Sequence, residues 1–330
     1  YGFEINIYRN VIVSEWLIDM TKNKGKIIFE RDISNKSFKT DLNTSKHFNY
    51  ANCLEEMKEN NQIFFLNEMT RRLLLSKNED NFFNDLLSVY NFLINDTIFI
   101  KPYTHRIYFI DYIKNKDKII NILNKLDINI SDIFALKSDI NDIKAKLPDV
   151  AFNNLMNNFN ILSLRVPNLK CSLRINNDIY TIKKLDNNTY NVETLKFKHS
   201  GNINNDFGVY EESDGTIRIL ELIDILLSDN KLFIIDELDS SLHPILIDGL
   251  LKMFLKENNN NQLIITTHES KTMDFDLIRR DEIWFTQKDN NGQTNLYSLE
   301  EYKDIARFDR KIDKAYLEGR FGAIANIKIN

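Results

Sequence analysis

The chain has 330 residues, 43% of them hydrophobic and 28% charged, which is ordinary for a folded protein with a sizeable core. Its 43 basic and 48 acidic side chains give a net charge of -5, which argues against a surface built for strong non-specific DNA binding, although a local basic patch stays open. No apolar run approaches the roughly 20 residues of a membrane helix, and Cys53 and Cys171 form no CxxC pattern, so we expect a cytoplasmic protein without a disulfide framework or zinc site.

The first 48 residues have the pattern of an antiparallel β meander, with predicted strands at residues 3–8, 11–18 and 26–30 separated by polar breaks. From residue 49 to residue 165, apolar residues recur at three- and four-residue spacing, which predicts a helical insertion. The segments with this spacing are QIFFLNEMTRRLLL, NDLLSVYNFLI, DKIINILNKL and DIFALKSDINDIKAKL.

Residues 166–330 are predicted to form a C-terminal lobe. Alternating strands resume at Ser172, in SLRI, DIYTIKKL and TYNVETLKFKH. Beyond them, helices (TIRILELIDILL, PILIDGLLKMFLKE) alternate with continuous apolar strands (KLFIID, QLIITT), and a hairpin turns at Asn291-Gly292. This alternation is typical of an α/β fold with a largely parallel sheet.

The segment LFIIDELDSSLHP holds the strongest candidate residues. Asp236 and Glu237 follow a buried strand, and acidic residues at the carboxyl end of a parallel strand point into the crevice where ligands bind. In nucleotide hydrolysis one such carboxylate holds Mg²⁺ through water and the next polarises the attacking water. We expect Asp236 in the first role and Glu237 in the second. An apolar strand that ends in Asp-Glu is also common without any function.

Two further segments frame this strand. In QLIITTHES, His268 follows the second apolar strand and is positioned to contact a γ-phosphate, although a lone histidine there is more often a hydrogen-bonded cap. In ESDGTIRILEL, the residues Ser213, Asp214, Gly215 and Thr216 precede an amphipathic helix. A helix N-terminus with a glycine is a good anion site, yet the same four residues also make an ordinary turn and N-cap.

Taken together, the three segments appear in the order and spacing of ABC ATPases, which they resemble. The resemblance implies that Ser213 to Thr216 form the signature motif, Asp236 and Glu237 the Walker B motif, and His268 the H-loop. The intervening D-loop runs from Ser240 and Ser241 to His243. The implied fold is an ABC-type ATPase head that contains the meander and the helical insertion.

Several longer stretches of the sequence resemble the RloA-type ATP-binding proteins, an abortive-infection group related to the SMC and OLD heads. The strings that carry this resemblance are YGFEINI, VSEWL, IIFERD, ESDGTIRILEL, IIDELDSSLHP, DEIWFTQKDNNGQTNLYSLEEY and KAYLEGRFGAIANI. It covers both ends of the chain and is weakest across the helical insertion.

No GxxxxGK[ST] phosphate-binding loop occurs in residues 1–330, because Lys24-Gly25-Lys26 lacks both the preceding glycine loop and the following Ser or Thr. We therefore expect this loop upstream of Tyr1, and little ATP turnover without it. With the loop, the resemblance implies an ATP- and Mg²⁺-dependent dimerisation switch in a bacterial anti-phage system. It further implies a homo-oligomer joined through its ATP-bound heads and a separately encoded effector, with a nuclease as one candidate.

Two other classes stay open. Asp236 and Asp239 follow an apolar strand, so a Toprim-like metal-dependent nuclease is an alternative, although Toprim pairs its aspartates as DxD and these are three apart. A catalytically inert scaffold that binds partners through its helical insertion is the other. DNA cleavage would favour the nuclease, and failure of the protein to bind ATP would favour the scaffold.

Overall fold

The computed structural model describes residues 1–21, 25–41, 48–73, 81–102, 109–166, 168–176, 178–185, 189–201, 206–256, 260–302 and 312–324. The chain forms two compact units, Tyr1–Ile98 and Phe99–Asn330. No helix in the described ranges is both long enough and apolar enough to cross a membrane.

The first unit is a four-stranded antiparallel sheet packed against helices. Its strands pair in the order β1-β2-β3-β4, so the predicted meander is confirmed and is extended by one short strand that the sequence pattern did not predict. The elements are β1 (Gly2–Asn6), β2 (Val11–Asp19), β3 (Lys26–Asp32), β4 (Ser37–Thr40), α1 (Phe48–Glu59), α2 (Phe65–Leu73) and α3 (Asn81–Asn91), then a π-helical turn (Phe92–Asp96) and β5 (Thr97–Ile100), which continues into the second unit.

The core of the first unit is rich in aromatic side chains. The rings of Phe29 and Phe38 lie 4.8 and 4.7 Å from that of Phe65, both in edge-on contact. Cys53 is fully buried in the same cluster, and burial raises the pKa of its thiol to about 11. Cys53 is therefore a packing residue and not a reactive thiol.

A fully buried ion pair joins the sheet to the ends of two helices. Arg31 on β3 lies 2.6 Å from Glu15 on β2, and neither side chain is exposed. Glu15 accepts the N–H groups of Phe65 and Leu66 at the start of α2, while Arg31 donates to the carbonyl oxygens of Met57, Asn60 and Ile63. Each charge thus meets the helix end of opposite polarity, which is favourable.

The second unit contains a five-stranded antiparallel sheet, a three-stranded sheet and a two-stranded hairpin. The first has the order β10-β9-β8-β7, with β6 also pairing with β9, and the second has the order β12-β11-β5. The elements are α4 (Phe109–Lys114), α5 (Lys116–Lys125), β6 (Ile130–Ser138), α6 (Ile140–Lys146), α7 (Asp149–Arg165), β7 (Lys170–Ile175), β8 (Asp178–Lys184), β9 (Tyr190–His199), β10 (Phe207–Gly208), α8 (Asp214–Leu222), α9 (Asp224–Leu227), β11 (Leu232–Ile235), α10 (Pro244–Lys256), β12 (Gln262–Ile265), β13 (Trp284–Lys288), β14 (Thr294–Ser298) and α11 (Ile312–Leu317).

One predicted helix, DIFALKSDINDIKAKL, is wrong over its first half, while its second half contains α6. The segment DIFALKS forms most of β6, which pairs with β9, so the predicted insertion at residues 49–165 contains strands β5 and β6 as well as helices. β6 also carries a register shift opposite β9, between Ile130 and Asp132. A β-bulge inserts one extra residue, so Ile130 and Ile133 are both fully buried at the three-residue spacing typical of a helix. The domain boundaries at residues 48/49 and 165/166 stay a prediction.

The β11–β12 pair is parallel. These strands run in register from Leu232 opposite Gln262 to Ile235 opposite Ile265. Phe233 and Ile235 are fully buried, whereas Ile264 is 54% exposed, so one face of the sheet is better covered than the other.

The predicted hairpin is also present, as β13 and β14. Gly292 has φ +79° at the turn, a left-handed conformation that favours glycine. Trp284 lies in a strand pattern, where a tryptophan usually packs in the core, but it is 55% exposed.

Candidate functional site

Asp236 and Glu237 lie directly after β11, at the edge of the sheet where the carboxyl ends of β11 and β12 meet. Both are exposed, while Phe233 and Ile235 anchor the strand in the core. The Asp236 N–H donates to the carbonyl oxygen of Ile100, 2.8 Å away, which continues the ladder to the neighbouring strand. The two carboxylates therefore project from a fixed strand end, as ligand-binding residues of α/β sheets do.

Thr266, which follows β12, joins the two acidic residues and was not predicted as a site residue. Its hydroxyl lies 2.6 Å from Oδ1 of Asp236, to which it donates, and it accepts the Glu237 N–H at 2.9 Å. Because a hydroxyl has a single proton, these two bonds fix its orientation. The available sequence signal was a polar residue at the end of the strand adjacent to the acidic one.

The backbone of this segment is strained. Glu237 has φ +48° and Ser241 has φ +61°, a left-handed region that residues other than glycine seldom occupy. Turn hydrogen bonds hold the segment, from the Ser240 N–H to Glu237 and from the Leu242 N–H to Asp239. Such strain concentrates at functional sites and persists where the surroundings enforce it.

His268 is exposed and lies next to the D-loop. Its main-chain N–H donates to Oδ1 of Asp239, 3.1 Å away. Partial burial raises the pKa of the Asp239 carboxyl, but hydrogen bonds from the Thr267 hydroxyl and the His268 N–H outweigh burial and hold that pKa below its ordinary value. Asp239 thus binds the D-loop to the segment after β12.

The predicted signature residues form the start of α8. Ser213 is the N-cap of this helix, because its Oγ accepts the Thr216 N–H at 3.1 Å, and the two hydroxyl oxygens lie 2.9 Å apart. A Cβ atom on Gly215 would lie 3.2 Å from the carbonyl oxygen of Ser241. The ordinary capping role is therefore real, and the same turn also packs closely on the D-loop.

The D-loop leads directly into α10. His243 precedes Pro244, the first residue of that helix, where proline is favoured, and its Nδ1 accepts the Ile245 N–H at 3.3 Å. Elsewhere, His199 pairs with Glu212 at 2.7 Å, while His47 and His105 lie outside the described residues.

All the predicted site residues, from Ser213 to His268, lie within a segment that matches a known family. The family model described as "AAA domain, putative AbiEii toxin, Type IV TA system" matches residues 1–274. The chain belongs to this family. The resemblance to an abortive-infection ATPase family is therefore confirmed. None of the curated proteins matches the chain.

Membership of the AbiEii-type AAA family carries general consequences. AAA domains hydrolyse nucleotides and generally bind ATP and Mg²⁺, and a type IV toxin–antitoxin family implies a partner protein. The mixed α/β fold, with its parallel and antiparallel sheets, is consistent with an AAA-type domain.

The residues at the strand ends fit the ions that an AAA domain uses. Asp236 presents exposed carboxylate oxygens, the donors that Mg²⁺ prefers, and Thr266 orients one of them. Within the described ranges, no three His, Cys, Asp or Glu side chains form a metal-binding group. Mg²⁺ commonly needs only one or two carboxylates beside water and substrate phosphates.

Proposed function

We propose that this chain supplies the Walker B, D-loop, H-loop and signature elements of an ABC/SMC-like ATP hydrolase that acts as an ATP-driven dimerisation switch. The observation that supports this most strongly is spatial. Asp236 and Glu237, the Thr266 hydroxyl, the backbone of His268 and the start of α8 are linked through the strand ends and the D-loop.

Each of these residues has a role in the proposed reaction. Glu237 polarises the attacking water, and Asp236 holds water around Mg²⁺, which supplies charge neutralisation to the phosphates when bound. His268 contacts the terminal phosphate. Ser213 and Gly215 bind phosphate held by a second subunit, with Asp214 and Thr216 shaping that helix end. Ser240 and Ser241 approach the partner across the same site.

A phosphate-binding loop is required for this activity, and residues 1–330 contain no GxxxxGK[ST]. We expect little ATP hydrolysis from these residues by themselves. The sheet is compatible with an added strand and helix, because β12 ends the described strand order and Ile264 on its surface is 54% exposed.

The proposed setting is a cytoplasmic anti-phage or abortive-infection system in which the switch controls a separately encoded effector. Membership of a type IV toxin–antitoxin family supports a protein partner. Cys53 and Cys171 form no CxxC pattern, and such sparse cysteine usage fits a reducing compartment.

The nuclease alternative has less support than the ATPase. Asp239, its second metal ligand, accepts hydrogen bonds from Thr267 and from the His268 N–H, so its carboxylate already holds the D-loop. Metal-dependent cleavage of DNA that is lost on replacing Asp236 would favour the nuclease.

The deciding experiment replaces Glu237 by glutamine in a protein that joins a GxxxxGK[ST] segment to residues 1–330. Glutamine keeps the shape of the side chain but removes the carboxylate, so hydrolysis should fall by about 10²- to 10⁴-fold while ATP binding persists. ATP turnover, ATP affinity by calorimetry and dimer content by light scattering should be measured, and dimers should accumulate with ATP.

Glu300→Gln is the matched control, because Glu300 is an exposed glutamate of the same unit that lies after the C-terminal hairpin. It should hydrolyse ATP normally. Normal turnover in Glu237→Gln would remove Glu237 from the catalytic role, and absence of ATP binding in the unmutated protein would favour an inert scaffold.

A further inference from the structure

Arg218 lies in α8 but does not face the exposed edge of the site. Its side chain is only 4% exposed. The guanidinium donates to the carbonyl oxygens of Lys101, Asp236 and Glu237 at 3.3, 3.2 and 3.0 Å, and lies 3.5 Å from Glu221. One turn into the helix after the signature residues, an arginine could contact phosphate or pair with Glu221, and burial argues against phosphate contact. The bonds to both acidic residues of Walker B are a third role that the sequence did not reveal.

These bonds reach the most strained part of the site. Glu237 has φ +48°, and its peptide groups are held on both sides. Its N–H donates to Thr266, and its carbonyl oxygen accepts from Arg218 and from the Ser240 N–H. A left-handed glutamate persists only where such contacts enforce it. Arg218 is therefore one of the groups that hold the backbone from which the Glu237 side chain projects.

A second contact ties the same helix to the same loop. Gly215, one turn before Arg218, approaches the carbonyl oxygen of Ser241 so closely that a Cβ atom would lie 3.2 Å from it. Together, the two contacts fix the first turns of α8 to both ends of the segment 236–241. A displacement of the helix must then be passed to the backbone of Glu237.

We propose that Arg218 is a positioning residue that holds the Glu237 carboxylate in its working direction and couples the signature helix to hydrolysis. The proposal rests on the ATPase function proposed above. The Arg218 side chain is 4% exposed, and this role requires no contact with nucleotide. It acts through the main chain of Asp236 and Glu237. When the second subunit's phosphate binds at the signature end of α8, the resulting shift of the helix changes the position of the Glu237 carboxylate.

Arg218→Lys tests this role in the ATP-hydrolysing protein. Lysine keeps the charge near Glu221, but its compact ammonium cannot replace a planar fork that bonds three carbonyl oxygens. We expect kcat to fall by about 10- to 10²-fold, because a small misplacement of a catalytic group has that effect, while KM for ATP changes by less than about threefold.

Tyr112→Phe is the matched control. It removes another buried hydrogen bond to α8, from the Tyr112 hydroxyl to the Leu220 carbonyl oxygen, without touching the Walker B backbone. It should leave kcat unchanged. Equal losses of kcat in the two variants, or an unchanged kcat in Arg218→Lys, would overturn the positioning role.

Amide hydrogen exchange without nucleotide provides a second readout that does not depend on ATPase activity. In Arg218→Lys, the amides of Leu238, Ser240 and Leu242 should exchange at least about tenfold faster, since their turn loses its anchor, and in Tyr112→Phe they should not. Unchanged exchange would contradict the proposal.

A double variant, Arg218→Gln with Glu221→Gln, replaces Arg218→Lys if that variant fails to fold. It buries no unpaired charge and is measured against the same expected results. If the unmutated protein hydrolyses no ATP, the proposed function is refuted instead. The amide exchange of the Arg218 variants would still test whether Arg218 holds the turn.

Discussion

At the scale of single residues, Glu68 is the carboxylate that holds Arg72, and Arg72 in turn links two helices. On α2 it accepts hydrogen bonds from Arg71 and Arg72, and Arg72 also bonds Glu56 on α1. The bond from Arg71, opposed by burial and supported by Arg72, lowers the pKa of Glu68 to about 2, against an ordinary value of 4.5. A carboxyl with a depressed pKa stabilises the folded state at high pH and loses that effect as it is protonated.

Glu68→Gln should therefore reduce the free energy of unfolding at neutral pH, and the deficit should shrink as pH falls from 4.5 towards 2. Urea unfolding of both proteins across this range measures it. Glu55→Gln is the control, because Glu55 forms an exposed pair with Lys58 and should have little effect. A deficit that stays constant down to pH 2 would contradict the assigned cause.

Residues also differ in how far sequence could reveal them. The positions of Asp236, Glu237 and His268 after the strands were predictable from the spacing of acidic and polar residues behind apolar runs, while their roles stay a prediction. Arg218 was not, since its bonds to Asp236 and Glu237 exist only once α8 packs beside β11. A left-handed backbone at a glutamate has no sequence signal either, because glycine or asparagine would mark such a position.

At the scale of elements, the buried Glu15–Arg31 pair fixes how β2 and β3 meet the helices of the first unit. Glu15 and Arg31 are cross-strand partners in the β2–β3 register, so their 16-residue separation concealed the contact from the sequence. Each also satisfies main-chain groups at a helix end. Replacing both by apolar residues would leave those main-chain groups without hydrogen-bond partners. A buried ion pair that bonds no other group differs, because its replacement by apolar residues is often neutral.

Glu15→Gln should reduce the free energy of unfolding by about 3 kcal/mol or more, because its amide NH₂ would face the donors of Phe65 or Arg31. Chemical denaturation, followed by a probe in the first unit, measures the change. Glu30→Gln is the matched control on the adjacent strand, since Glu30 forms an exposed pair with Lys39 and should cost under about 1 kcal/mol. Equal effects would show that the helix ends do not depend on Glu15.

The structure of β6 also depends on a partner that is distant in sequence. Ile130 and Ile133 are spaced as on a helix face, and only the bulge opposite β9 brings both into the core of a sheet. Periodicity identified α2, α3 and α5 because their apolar faces are regular, whereas a bulge depends on a partner distant in sequence.

At the scale of the whole molecule, the proposed site is shared between subunits, and mixed dimers test it. Ser213→Asp keeps a good N-cap but places a carboxylate against phosphate, whereas Ser213→Asn keeps the cap without charge. In the ATP-hydrolysing protein, Ser213→Asp and Glu237→Gln should each be inactive as homodimers. In a mixed dimer, the Walker B of the Ser213→Asp chain and the signature of the Glu237→Gln chain form one intact site. If the two sites of a dimer work independently, an equal mixture of the chains should recover about a quarter of the activity of the unmutated protein.

Ser213→Asn should by itself remain active, which separates charge from capping. Differently tagged chains verify that mixed dimers form. Activity of the mixture no higher than the mean of the separate variants, despite mixed dimers, would rule out a site shared in this way.

The left-handed backbone at Glu237 also has an evolutionary consequence. A left-handed backbone costs a glutamate about 1–3 kcal/mol at this position, and the proposed role of its carboxylate accounts for its retention. In gene copies released from selection for hydrolysis, drift should therefore run towards glycine or asparagine, which adopt φ +48° easily, and away from β-branched residues. A glycine or asparagine at position 237 would then mark a lineage that has lost hydrolysis.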